Sequence, residues 1–454
     1  MAISPARIAA FEILLRVERE FSFASELLHS KRYASPSPSD HALATELVMG
    51  VLRWRSCLDD EITAASSQSL GKLDLEVLTA LRLGVYQVRW LDRIPARAAI
   101  HESVELTKRA RKRSAAAFVN AILRRLSQTK FVPESSGGAT NETLARDLAH
   151  PTWLVERWVR EYSSEAARKI CRYDQSVPIT AIRLRTPVSE AELDRDGVSL
   201  EAGALMSSAR RVKTGDITRS KAFRDRQVVI QDEASQLVAA LVDPVSGIES
   251  RILDCCAAPG GKTIAISDRT PQASITALEL HPHRAQLLQA LVHTANPDAQ
   301  IHVVAADAQR LPLLCAFDRV LADVPCSGTG TLSRNPEIKW RLRTDDLRDL
   351  QSRQLAILRS ASAQLAPGGR LVYSTCSLER EENEDVVEQL LTADSSIRRL
   401  DIVLELERLQ AQGELAWTAL TTLAHGPYLR TIPGIHPCDG FFAAILERKN
   451  LSGT

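Results

Sequence analysis

The sequence predicts a multidomain chain: an all-α helical bundle, then a small α+β module, then an α/β domain built on a parallel sheet. Three observations carry this. Residues 5–128 repeat apolar side chains at helical spacing, with few β-branched alternations. Residues 132–143, Val-Pro-Glu-Ser-Ser-Gly-Gly-Ala-Thr-Asn-Glu-Thr, have linker composition. From residue 233 the pattern alternates strand, helix, strand, which builds a parallel sheet with helices on both faces. A chain of 454 residues exceeds one ordinary core. The boundaries read as a bundle at 1–130, a linker at 131–147, the module at 148–232 and the α/β domain at 233–450.

The bundle opens with a helix over 6–17, marked by Ile8, Phe11, Ile13 and Leu14. Residues 35–39 alternate Ser and Pro as a loop, and Asp40 reads as the N-cap of a helix reaching Leu52. Further helices are expected near 74–90, 96–110 and 114–127. His150-Pro151 opens another, carrying Trp153, Leu154 and Trp158, because proline is favoured where its missing N–H has no helical acceptor. Short strands at 179–184 and 227–231 mark the module. In the last domain, strands are expected at 251–256, 274–280, 301–306, 317–324 and 369–375, and helices at 261–268, 282–295, 345–366 and 381–392.

Hydrophobic residues make up 44% and charged residues 25%, the balance of a water-soluble globular protein. No run approaches membrane-span length, and the N-terminus lacks a signal-peptide layout, so a cytoplasmic monomer is expected. The eight cysteines are scattered without a CxxC pair, which predicts free thiols and no metal site. Cys57, Cys171, Cys315 and Cys438 read as small packed residues. Residues 1–130 hold 20 Lys and Arg against 14 Asp and Glu, whereas the remainder holds 37 against 42. Lys108, Arg109, Arg111, Lys112 and Arg113 form the densest basic run. A lone basic run is usually a solvated helix end, but a basic domain on an enzyme favours a polyanionic substrate. Arg334, Lys339 and Arg341, with Trp340, suit phosphate contact and base stacking as well as they suit a structured surface loop.

Cys256, Ala257, Ala258, Pro259, Gly260, Gly261 and Lys262 join the first α/β strand to its helix. Small residues and two glycines let a ligand approach the backbone. A triphosphate loop is disfavoured, since that motif wants glycine at position 256. A nicotinamide dinucleotide is disfavoured by the absence of Gly-x-Gly-x-x-Gly. Glu279 ends the second strand, placed to accept from ribose hydroxyls, and Asp307 ends the third, placed to reach an adenine amino group. Cys326, within Asp323-Val324-Pro325-Cys326-Ser327-Gly328, and Cys376, within Tyr373-Ser374-Thr375-Cys376-Ser377, follow two later strands. Thiols at strand ends suit attack on a carbon electrophile, one as nucleophile and one handling protons. Chemistry alone leaves those roles exchangeable.

These segments resemble the motifs of RNA cytosine-5 methyltransferases, together with the lead-in Gln231-Asp232-Glu233-Ala234-Ser235 and the closing Asp439-Gly440-Phe441-Phe442. Residues 46–53, 102–106 and 118–125 are similar to NusB-like RNA-binding domains. The combined layout looks like the bacterial RsmB (Sun/Fmu) type, which methylates a cytosine of small-subunit ribosomal RNA. The resemblance implies a Rossmann-like domain, S-adenosylmethionine as cofactor and small-subunit ribosomal RNA as partner. It implies that Cys376 attacks cytosine C6 and Cys326 takes the C5 proton. Asp323 is expected to hold the cytosine edge and to border the cofactor. Glu279 stands where the family commonly has Asp, and its longer side chain still accepts from ribose. The rivals are a tRNA cytosine-5 methyltransferase and a non-catalytic ribosomal-RNA-binding assembly protein. The N-terminal domain and the intact cysteine pair speak against them.

Overall fold

A computed structural model describes residues 3–33, 37–129, 140–185, 190–243, 250–311 and 316–450. The chain divides into two compact units, Met1–Val177 with Leu332–Arg341, and Pro178–Thr331 with Leu342–Thr454.

The first unit is helical. Its longer helices are Pro5–Glu20, Pro38–Arg53, Arg55–Ala65, Leu75–Trp90, Ala96–Arg109 and Ala116–Gln128, followed by Asn141–Asp147, Thr152–Tyr162 and Ser164–Gln175. Ile13, Leu47, Leu58, Leu81, Leu83 and Leu123 are fully enclosed in its core. Pro38 enters the first turn of its helix, and the Ser37 hydroxyl, not Asp40, accepts from the Asp40 N–H as N-cap. Of the expected linker, 141–147 is helical, and 131–139 lies outside the described residues.

Residues 332–341 belong to this unit and serve its helix ends. The Trp340 indole donates to the Leu52 carbonyl at 2.6 Å, and Lys339 Nζ to the Arg53 carbonyl at 3.1 Å. Arg341 donates to the carbonyls of Phe21 and Ser22 at 2.9 and 2.7 Å. These acceptors lie at or just past helix C-termini, where carbonyls lack intrahelical donors. Glu337 does the converse, accepting the Ala24 N–H at the start of helix Ala24–Leu28 at 2.8 Å. Of the two sequence readings of this stretch, phosphate contact and a structured loop, these bonds fit the structured loop for Lys339 and Arg341. Lys339 is 1% exposed, and both cations are spent on internal carbonyls.

The second unit holds two sheets. β1 (Ala181–Leu184), β2 (Ser199–Ala202), β3 (Ala209–Thr214) and β4 (Val228–Ile230) form an antiparallel sheet in the order β2-β3-β1-β4. The large sheet contains β5 (Arg251–Asp254), β6 (Ser274–Glu279), β7 (Ile301–Ala305), β8 (Phe317–Asp323), β9 (Leu365–Thr375), β10 (Ile397–Arg399), β11 (Ala424–His425), β12 (Tyr428–Thr431) and β13 (Phe441–Arg448). Its order is β11-β12-β13-β9-β8-β5-β6-β7, with β10 paired to β13. The pairings from β9 through β7 are parallel, and those of β13 are antiparallel. Strand order reverses beside β5, which has β8 on one side and β6 on the other. Ligands bind open α/β sheets at the carboxyl ends flanking such a reversal.

The domain division differs from the sequence reading in three places. The helices over 152–175 and residues 332–341 group with the N-terminal bundle, and residues 178–232 group with the α/β domain. Buried Glu233 helps to fix the latter, accepting from the backbone of Leu205 and Met206 at 2.6 and 2.9 Å while pairing with Arg211. Among the described residues, no helix is long and apolar enough to cross a membrane.

Candidate active site

The five parallel strands deliver the predicted residues to one edge of the sheet. The loop after β5 turns into helix Gly261–Arg269 through Gly260, whose φ of +113° is in the left-handed region. A Cβ on Gly260 would lie 2.8 Å from a Leu288 methyl. The Ala257 N–H is held by the Leu278 carbonyl at 2.8 Å, tying the loop to the end of β6. Glu279, 7% exposed, accepts the His281 N–H at 2.9 Å, with Arg284 at 3.8 Å from its other oxygen. Asp307 is exposed at the end of β7, where it caps the next turn through the Gln309 N–H. Buried Asp254 accepts from Thr263 on one oxygen, and the other has no partner. Burial pushes its carboxyl up to about 6, with the Thr263 hydrogen bond opposing.

A close-approach loop and acidic groups ending successive strands suit a nucleoside cofactor with ribose hydroxyls and an amine. The residues therefore fit S-adenosylmethionine, with 256–262, Glu279 and Asp307 available to hold it.

β8 and β9 place the two thiols together. Cys326 and Cys376 are both half-buried, with sulfurs 3.2 Å apart. The loops are pinned by the Val324 N–H on the Ser374 carbonyl at 3.0 Å and by the Gly330 N–H on the Cys376 carbonyl at 2.9 Å. The hydrogen bond to Cys376, then burial, raises the Cys326 thiol well above the usual range. The pair thus favours a state in which Cys326 keeps a proton facing the Cys376 sulfur.

Lys262 donates to Asp323 Oδ2 at 2.7 Å, and Ser374 donates to Asp323 Oδ1 at 2.7 Å. Burial opposes the Lys262 charge, but Asp323 and the Cys376 sulfur outweigh it and raise the ammonium. The sequence reading named Lys262 as a loop residue; this link to both Asp323 and Cys376 needed the fold.

The remaining described cysteines are inert by comparison. Burial raises the thiols of Cys171, Cys255, Cys256 and Cys438, and pushes Cys57 up to about 11. Cys315 lies outside the described residues. In the basic run, Lys108, Arg109, Arg111 and Arg113 are exposed. Lys108 pairs with Glu105 at 2.7 Å, Arg109 with Glu12 at 3.7 Å and Lys112 with Asp74 at 3.0 Å. Arg334 is half-buried.

Sequence reasoning missed the polar network behind the thiols. Glu382, Ser327, Ser377 and Asn383 are all buried there. The only sequence signal was the acidic stretch Glu381-Glu382-Asn383-Glu384 soon after Cys376.

A family model described as 16S rRNA methyltransferase RsmB/F matches residues 239–447, and one described as NusB family matches residues 4–128. The probable ribosomal RNA small subunit methyltransferase B of Bacillus subtilis is 32% identical, over 99% of this chain and 100% of that protein. The ribosomal RNA small subunit methyltransferase B of Xanthomonas campestris is 30% identical, over 98% and 97%. Among solved structures, PH0851 superposes with a TM-score of 0.80 at 23% identity, over 99% of this chain and 100% of that one. At that identity the likeness is one of fold.

Proposed function

For a chain that belongs to the 16S rRNA methyltransferase RsmB/F family, and so is an S-adenosylmethionine-dependent methyltransferase, we propose that it methylates C5 of a cytosine in small-subunit ribosomal RNA through a covalent Cys376 adduct. The observation that carries this reading is the pair of sulfurs at 3.2 Å beside the Lys262–Asp323 ion pair. One thiol would suffice for attack; two facing each other suit attack followed by proton removal.

Cytosine C5 is too weak a nucleophile to take a methyl group unaided. The Cys376 thiolate adds to C6 and forms an S–C6 bond, which moves electron density to C5. Asp323 holds the N3/N4 edge, where N3 takes a proton from solvent as the adduct forms. When bound, S-adenosylmethionine would supply an electrophilic methyl group to C5, its sulfonium leaving as the neutral thioether. With Cys376 now a thioether, Cys326 loses the hydrogen bond that held its proton, and it releases that proton to solvent. The Cys326 thiolate then removes the C5 proton, N3 gives back the proton it gained, and the S–C6 bond breaks to return Cys376 as thiolate. Cys326 again carries a proton, and the net release is one proton per methyl transferred. The target base must leave its stack to reach the thiols, at a cost of about a few kcal/mol.

The exposed basic residues Lys108, Arg109, Arg111 and Arg113 support phosphate contact by the helical unit. The test incubates the full chain with S-adenosylmethionine and unmodified small-subunit RNA and maps 5-methylcytosine. Cys376→Ala is expected to lose both methylation and the covalent RNA adduct, and methylation by that variant refutes the nucleophile assignment. Cys326→Ala is expected to accumulate the adduct on denaturing gels, because elimination lacks its base.

A further inference from the structure

Glu382 ends the short turn Arg380–Glu382 that follows the Cys376 loop, and it is fully enclosed. Its Oε1 accepts from the backbone N–H of Ser327 at 2.8 Å and from the Gln354 amide at 2.9 Å. Its Oε2 accepts from the hydroxyls of Ser327 and Ser377. Ser327 and Ser377 are the residues bonded directly to Cys326 and Cys376. Three of the four donors therefore come from the two positions that immediately follow the thiols. Gln354 reaches the same loop again, donating to the Pro325 carbonyl at 3.0 Å. Next in the chain, Asn383 accepts from Thr375 Oγ1 and donates to the Ser377 carbonyl at 2.9 Å.

A buried carboxylate without a cation is costly, and four converging donors are the means by which a fold tolerates one. A structural anchor alone would not need a charge: a neutral amide or a packed apolar group holds a turn as well. Here the charge sits behind both thiols, while Lys262 lies beside Cys376.

We propose that Glu382 is a positioning residue for the reaction: its carboxylate sets the two cysteine loops in register, and its negative charge assigns the shared proton to Cys326. The proposal rests on the cytosine-C5 reading above and extends it to the groups behind the thiols. Consistent with it, Glu382 adds to the elevation of the Cys326 thiol, after the hydrogen bond to Cys376, burial and the charge of Cys376. The other charged or titratable groups facing this region include Lys262, Asp323, Asp254, Tyr373 and Cys256, and Glu382→Gln leaves them all in place.

The experiment follows alkylation of Cys326 and Cys376 by iodoacetamide against pH in the full chain, read by peptide mass spectrometry, beside steady-state methylation of small-subunit RNA. In Glu382→Gln the alkylation midpoint of Cys326 is expected to fall by about one pH unit. The kcat is expected to drop on the order of a hundredfold, with KM for RNA and for S-adenosylmethionine within about twofold of wild type. Glu382→Asp keeps the charge but shortens the reach, so it is expected to restore the midpoint and leave kcat low. If Glu382→Gln does not fold, Ser327→Ala with Ser377→Ala removes the hydroxyl clamp while the charge stays, and a low kcat at an unchanged midpoint is expected. A folded Glu382→Gln chain with an unmoved Cys326 midpoint, or with kcat near wild type, overturns the proposal, as does a wild-type kcat in the double serine variant. The alkylation arm uses no RNA, so it judges Glu382 even if Cys376→Ala goes on methylating and the C5 reading fails.

Discussion

Asp323 illustrates how one carboxylate serves several tasks. It holds Lys262 and Ser374, and it is half-buried at the end of the strand that leads into Cys326. Asp323→Asn keeps the shape and an acceptor for Ser374 but loses the charge that fixes Lys262 and the acceptor needed for a protonated cytosine edge. Cofactor binding by calorimetry is expected to stay within about threefold, while single-turnover methylation falls on the order of a hundredfold or more. Retained turnover removes the cytosine-edge role. Asp323, Cys326 and Cys376 were legible in the sequence because each ends an apolar strand, where a reactive side chain has no packing duty. Glu382 was not, because an acidic run with no apolar partner in sequence reads as a solvated face. Three of its four donors lie 28 or 55 residues away in sequence. For Lys339 and Arg341 the sequence left RNA contact and a structured loop open for the same reason, since the helix-end carbonyls that accept from them lie more than 280 residues away.

At the scale of elements, the Cys326 loop and the segment entering β13 meet backbone to backbone. The Gly440 N–H donates to the Gly330 carbonyl at 2.8 Å, and a Cβ on Gly330 would sit 2.1 Å from the Gly440 carbonyl oxygen. Gly330→Ala therefore forces the loop off β13, at an expected cost of about 1–3 kcal/mol. Because the displaced loop carries Cys326, methylation is expected to fall further than the melting temperature alone explains. Comparing activity well below the melting point with the unfolding curve checks this, and unchanged activity in a folded variant rules out the coupling. The parallel strands were legible because strand and helix alternate cleanly between residues 251 and 375. β13 was not predicted: Phe-Phe-Ala-Ala-Ile-Leu-Glu-Arg has no period-2 pattern, and its extended form is fixed by pairing with β9. β2 and β3 escaped notice because they are short and carry charged residues.

At the scale of the whole molecule, the chain leaves the α/β unit after Thr331, contributes ten residues to the helical unit and returns at Leu342. Lys339 lies in that contribution, and its titration ties the stability of the helical unit to pH. Burial lowers its ammonium to about 7, against an ordinary value of 10.5, with Asp174 only partly offsetting the effect. Between those values the unfolded chain binds a proton that the folded chain does not, so folding stability attributable to Lys339 rises with pH across this window. The rise is at most about 1.4 kcal/mol per pH unit, and it levels off on either side. Lys339→Met keeps the unbranched stem and removes the titration, at the cost of the hydrogen bond to the Arg53 carbonyl, worth about 1 kcal/mol. The other titrating groups are common to the two chains, and in His150, Cys57 and Cys171, which feel Lys339, burial is the larger cause, so their contributions largely cancel in the difference. Urea unfolding at pH 7, 8 and 9 is therefore expected to show the wild type gaining on Lys339→Met at each step, even where both chains lose absolute stability. A difference that stays flat, or that runs the other way, means that the Lys339 ammonium keeps its charge inside the fold, sustained by Asp174 and the carbonyl of Arg53.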